Sequence, residues 1–119
     1  MTTLFSATLA IHAILHLIGF SQEFNLGYVN RFKYRYAWLN KPIVKKAMGI
    51  GWFLACVGLL STAYFYFTAE ESLFEIVGII SVILSQSLII IYWAEAKFGT
   101  LINCVLLLAI IIARLYGIA

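Results

Sequence analysis

Charge is the scarcest property of this chain. Asp, Glu, Lys and Arg together make up 11% of its 119 residues, against roughly 25% in an ordinary soluble domain. With 64% of the residues hydrophobic and a mean hydropathy of +1.00, there is too little polar surface to cover a folded body in water. Lipid is the solvent that fits. Proline is nearly missing: Pro42 is the single one, so nothing breaks the apolar runs from within. Cysteine is scarce too. Cys56 and Cys104 lie in different apolar runs, match no zinc spacing, and read as small packing residues with no disulfide between them. Short alternating segments of the kind that build membrane barrels are also lacking. The first apolar run has no basic residues ahead of it, and no small-residue cleavage site follows. It therefore reads as a retained membrane helix rather than a signal peptide.

What is present is four long apolar runs. Backbone groups in lipid find no water, so each span must satisfy its own hydrogen bonds, and runs of this length do so as helices. The expected fold is all-α, a single-domain integral membrane bundle of four transmembrane helices. The helices are placed at residues 3–20, 44–68, 73–94 and 100–116, with a basic aromatic loop over 21–43. Pro42 opens the second helix, where its missing N–H is no loss. The connections after the second and third helices are short, which makes helices two, three and four antiparallel neighbours.

Orientation follows from the cations. Arg31, Lys33, Arg35, Lys41, Lys45, Lys46 and Lys97 fall on one side, and Arg114 alone on the other. The positive-inside bias then puts the loop in the cytoplasm and both termini outside it. A net charge of +3 is no nucleic-acid signal when it sits in one juxtamembrane loop. That loop is either a topology determinant lying on anionic headgroups or a docking segment. In the second case Tyr28, Phe32, Tyr34, Tyr36 and Trp38 are interleaved with its charges.

Both histidines lie in the first helix, in IHAILHLIGF at residues 11–20. His12 and His16 are four apart and share a face. Extended by the same step, that face reads Thr8, His12, His16, Gly19 and Glu23, and should point into the bundle, since ionisable groups are costly toward lipid. Three readings stay open. The imidazoles hydrogen-bond neighbouring helices. They bind a metal ion, which needs more ligands. Or they serve proton, quinone or haem chemistry. Gln86, with Ser85 and Ser87, and Asn103 lie at a depth similar to His16. Glu95 and Lys97 lie in the turn before the last helix, where one of them could close the mouth of a site and where Gly99 could take a positive φ. Glu23 lies about 10 Å beyond His16 along the axis, too far to share an ion with both histidines. Histidines four apart on one helix cannot hold opposite faces of one haem iron. The candidates are thus His12, His16, Gln86 and Asn103 for a cofactor, His12 and His16 for a metal, and His16, Glu95 and Lys97 for catalysis. Arg114 reads as an interfacial side chain.

IHAILHLIGF at 11–20, LNKPI at 39–43 with GIGW at 49–52, and WAEAKFGTLIN at 93–103 come in this order across most of the chain. Together they resemble a family of uncharacterised bacterial four-helix membrane proteins. Its members share a paired-histidine first helix and a W-x-(D/E)-A-K-F-G-T turn. The resemblance implies no activity. It singles out His12, His16, Glu95, Lys97, Gly99 and Thr100. This chain has glutamate where aspartate is the usual acid, and its segment 28–38 has no counterpart in the family. Two functional expectations follow: an accessory or interaction subunit of a larger membrane assembly or a homo-oligomer, or else a membrane-embedded metal-, quinone- or proton-handling protein built on the histidines.

Overall fold

The computed structural model describes residues 2–24, 41–93 and 97–117, without the side chains of Thr2 and Gln22. Among the described residues there are four membrane-length helices and no strand. They are α1 (Thr2–Glu23), α2 (Pro42–Phe67), α3 (Glu71–Ile91) and α4 (Gly99–Tyr116). All four are long and apolar enough to cross a bilayer, and the chain is a multi-pass membrane protein by that criterion. Leu, Ile and Phe side chains cover the outside, including Ile11, Leu15, Ile80, Ile83, Leu101 and Leu108. In water this would be an aggregation surface; in lipid it is the expected one.

The helix ends differ from the expected ones in ways the local chemistry explains. α1 runs on through Ser21, Gln22 and Glu23 because none of these breaks a helix, and the Phe24 N–H still reaches the Phe20 carbonyl at 3.1 Å. α2 opens with Pro42 in its first turn. It ends in a Schellman motif: Glu70 N–H bonds the Phe65 carbonyl at 2.9 Å and Ala69 N–H the Tyr66 carbonyl at 3.2 Å. Ala69 stands at the left-handed position with φ 58°, where glycine is the usual residue. α3 stops at Ile91, short of the expected 94, and Tyr92 caps it.

α1 packs on α2, α2 on α3 and α3 on α4, while α1 meets α4 more narrowly. Close approach is set by glycines. A Cβ on Gly19 would stand 2.4 Å from the Trp52 ring, and one on Gly58 would stand 2.3 Å from Ser81 Oγ. The core has two parts. Toward the chain termini lie Leu9, Ala13, Leu59, Phe74, Val82, Leu106 and Ile110. Toward the basic loop lie Trp52, Ala55, Leu88 and Tyr92. Arg114 at the terminal end pairs with Glu75, tying α4 to α3.

One offset positions everything that follows. Gln86 of α3 is hydrogen-bonded to Thr100 in the first turn of α4. Tyr92 lies six residues beyond Gln86, about 9 Å along the axis. α4, which starts at Gly99, therefore begins roughly one turn short of the level where α3 ends at Ile91, and its first turn sits against the middle of α1, with Gly99 beside His12. The reading of Gly99 is corrected. Its φ is not positive, and its smallness serves packing instead. A Cβ there would meet Ile89 Cδ1 at 2.8 Å and His12 Cε1 at 3.1 Å.

Candidate functional site

The inward face of α1 is Ser6, Leu9, His12, Ala13, His16, Gly19 and Glu23, all buried. Thr8 is not on it: its side chain is exposed and bonds back to the Leu4 carbonyl at 2.8 Å. A step of four residues overshoots a helical turn by about 40°, so counting back from His12 by four swings off the face. The true stripe alternates steps of three and four.

His12 is 6% exposed and His16 3%. Their rings meet edge to face at 4.8 Å between centroids. The offset of α4 brings Asn103, also buried, level with both histidines. His16 Nδ1 lies 2.9 Å from the His12 carbonyl, and His16 Nε2 lies 2.8 Å from Ser85 Oγ. His12 Nε2 lies 3.2 Å from Asn103 Oδ1. Asn103 Nδ2 lies 3.1 Å from Ser85 Oγ and 3.0 Å from Gln86 Oε1. Gln86 Nε2 is 3.0 Å from Thr100 Oγ1.

One bond orients the rest. A main-chain carbonyl only accepts, so His16 carries its proton on Nδ1 and presents a lone pair at Nε2. Ser85 must then donate its hydroxyl proton to that lone pair, leaving its oxygen to accept from the Asn103 amide. This fixes which way Asn103 points. Its Oδ1 accepts from His12 Nε2–H, and its second amide proton goes to Gln86. The two histidines are therefore opposite tautomers: His16 is Nδ1–H and His12 is Nε2–H. Each of these five side chains is tied to at least one other helix or to a neighbouring turn. Among the described residues, the His12 Nδ1 lone pair alone of the four histidine ring nitrogens has no hydrogen bond.

Comparison with protein-family models, with curated proteins and with solved structures finds no match. Function must be read from this geometry.

Four of the sequence candidates, His12, His16, Gln86 and Asn103, are thus brought into one network, with Ser85 and Thr100 joining them. Lys97 stays out of it: the side chain is exposed, with Nζ 5.5 Å from the Phe98 ring centroid. Glu95 lies outside the described residues. For a metal, His16 has both nitrogens committed. Among the described residues no group of three His, Cys, Asp or Glu side chains could hold an ion. Cys104 is exposed on α4, not packed inside as expected, while Cys56 is buried; both are free.

Two site residues were missed in the sequence. Trp52 and Tyr92 are buried, at 3% and 4% exposure, and continue the cluster toward the loop. The Trp52 ring stands 5.3 Å from His16 and 5.5 Å from Tyr92. The Tyr92 hydroxyl donates to Glu23 Oε1 at 3.1 Å. The sequence signal for Tyr92 is Glu23, a buried carboxylate on the histidine face that needs a donor at its own depth.

Proposed function

We propose that this protein is an accessory or interaction subunit of a larger membrane assembly, or a homo-oligomer, in the bacterial cytoplasmic membrane with its basic loop inside. The observation that carries this reading is the closed sense of the polar network. Every proton of the His16, Ser85 and Asn103 side chains has an acceptor, and both His16 nitrogens are used. A group so fully committed locks helices together rather than holding a place open for a ligand. Interhelical hydrogen bonds in membranes contribute on average about 0.6 kcal/mol each. The network then stabilises the packing of α1, α3 and α4 by a few kcal/mol in total, and the apolar outer faces remain for lipid or partner helices. The resemblance to four-helix membrane proteins without a known activity fits the same role.

The test is mild solubilisation of native membranes, isolation of the intact protein and determination of its mass and bound metal. The expected result is a defined hetero- or homo-assembly, colourless and without stoichiometric metal. A monomer carrying an ion or chromophore overturns the proposal.

A second reading rests on His12. Among the described residues its Nδ1 lone pair is the one uncommitted acceptor on the histidine rings, and it supports a membrane-embedded metal-, quinone- or proton-handling role. That reading requires His12→Ala to abolish ligand or proton uptake while Ser85→Ala, which leaves His12 Nδ1 untouched, preserves it.

A further inference from the structure

The polar network is not equally buried along its length. His12, His16, Ser85 and Asn103 are buried, while Gln86 and Thr100 at its outer end are half-buried. Hydrogen bonds run from that end to the histidines without a break. Gln86 Nε2 donates to Thr100 Oγ1, and Asn103 Nδ2 donates to Gln86 Oε1 and to Ser85 Oγ. Ser85 and Asn103 each meet a histidine ring. Large side chains close the bundle above and below. On the basic-loop side the Trp52 ring lies against His16, in a layer with Leu88 and Tyr92. On the terminal side follow Leu9, Leu59, Phe74 and Leu106, each less than 2% exposed.

Depth makes the half-buried end unusual. α3 has 21 residues and is about 31 Å long, close to the thickness of the hydrocarbon. Gln86 lies about 7.5 Å short of its end at Ile91, and so inside that thickness. A polar side chain that faces lipid at this level bonds back to its own helix, as the neighbouring Ser87 does to the Ile83 carbonyl at 2.7 Å. Gln86 and Thr100 bond across helices instead. Lys97 stands at the same place: its carbonyl accepts the Thr100 N–H at 3.1 Å, and its side chain is exposed. An ammonium group anchored there is costly in hydrocarbon and draws water down along its stem. A cation and two half-buried polar groups thus meet where α4 stops short of α3.

We propose that the start of α4 is a water-filled notch in the basic-loop face of the bundle, and that water meeting Gln86 and Thr100 there is the route by which the histidine network exchanges protons. The ligand is water with the protons it carries. This inference does not rest on the accessory-subunit reading. It gives the proton-handling reading one side of entry, and its test reads water access alone, so either can fail without the other.

The first test compares two conservative cysteine variants of similar depth, Thr100→Cys and Ser87→Cys, in a chain whose Cys56 and Cys104 are replaced by alanine. The protein is held in bilayer nanodiscs and treated with a water-soluble methanethiosulfonate, which needs a hydrated thiolate. Thr100→Cys should react about tenfold faster than Ser87→Cys, or more. The second test follows deuterium exchange of the His16 Nδ1–H by ¹⁵N spectroscopy. Gln86→Leu keeps the size of the side chain and removes its polar end, and should slow the exchange several-fold. Trp52→Phe, on the closed side, should leave it unchanged. Equal thiol rates at the two positions overturn the notch. Exchange that is unchanged or faster in Gln86→Leu, or faster in Trp52→Phe, overturns the route.

Discussion

His16 takes its tautomer from a main-chain carbonyl, and its neighbours inherit their orientations from it. This makes the network testable atom by atom. In ¹⁵N spectra of histidine-labelled protein in bilayers, His16 should show a protonated Nδ1 and His12 a protonated Nε2. The reverse assignment, or the same tautomer in both, would mean that Asn103 and Ser85 are oriented otherwise than described. Asn103 is the residue on which the most bonds converge: it accepts from His12 and donates to Ser85 and Gln86. Asn103→Ala should therefore lower stability by about 2 kcal/mol, at three bonds of the membrane-average size. Ser87→Ala should change it little, since Ser87 is exposed and bonds only the Ile83 carbonyl of its own helix. Unfolding in mixed detergent micelles, titrated with SDS, measures both. The pairing of the two histidines was legible in the sequence because four residues bring two side chains onto one face. Their partners were legible only as a shared depth, and which atom meets which was not.

At the scale of the helix, contact is decided by glycines and by one turn. Gly19 lies against the flat of Trp52, and a Cβ there would stand 2.4 Å from a rigid ring. Gly51 has Leu88 at 3.4 Å, an ordinary contact with a flexible end. Gly19→Ala should thus cost about 2–3 kcal/mol as an overpacking substitution, and should tilt Trp52 away from His16, visible as a change in tryptophan fluorescence. Gly51→Ala should be close to neutral; an equal loss from both would contradict the described α1–α2 spacing. The turn after α2 makes the opposite kind of prediction. Ala69 holds a φ of 58°, which costs an L-residue about 1 kcal/mol. Ala69→Gly should raise stability by about that amount in the same SDS titration, and a loss instead would mean that the Ala69 methyl carries packing that outweighs the backbone. Periodicity announced neither effect. A glycine's role depends on what faces it, and a left-handed residue is expected from sequence only when it is glycine or asparagine.

For the molecule as a whole, the cations are divided by side and the helices alternate. A membrane-impermeant maleimide applied outside intact cells should label a cysteine placed at Glu70 and not one placed at Lys41, in a chain whose Cys56 and Cys104 are replaced by alanine. Labelling at Lys41 from outside would invert the proposed topology. The narrow α1–α4 meeting has its own consequence. Among the described residues that side carries the His12–Asn103 bond and the Gly99 contact, so that seam is where loss of the network should first loosen the fold.

Composition and run length by themselves determined a four-helix, all-α membrane protein, because a chain with so few charges and four uninterrupted apolar runs has no other solvent and no other way to satisfy its backbone. They also placed the histidine pair on an inward face. Only the tertiary structure decided the offset of α4 against α3. That offset depends on how Gly99 seats against Ile89 and His12, a long-range fit no local pattern encodes. From it follow the level of Asn103 and the hydrogen-bonded ring that turns His12 and His16 from two residues on a stripe into one joint between three helices.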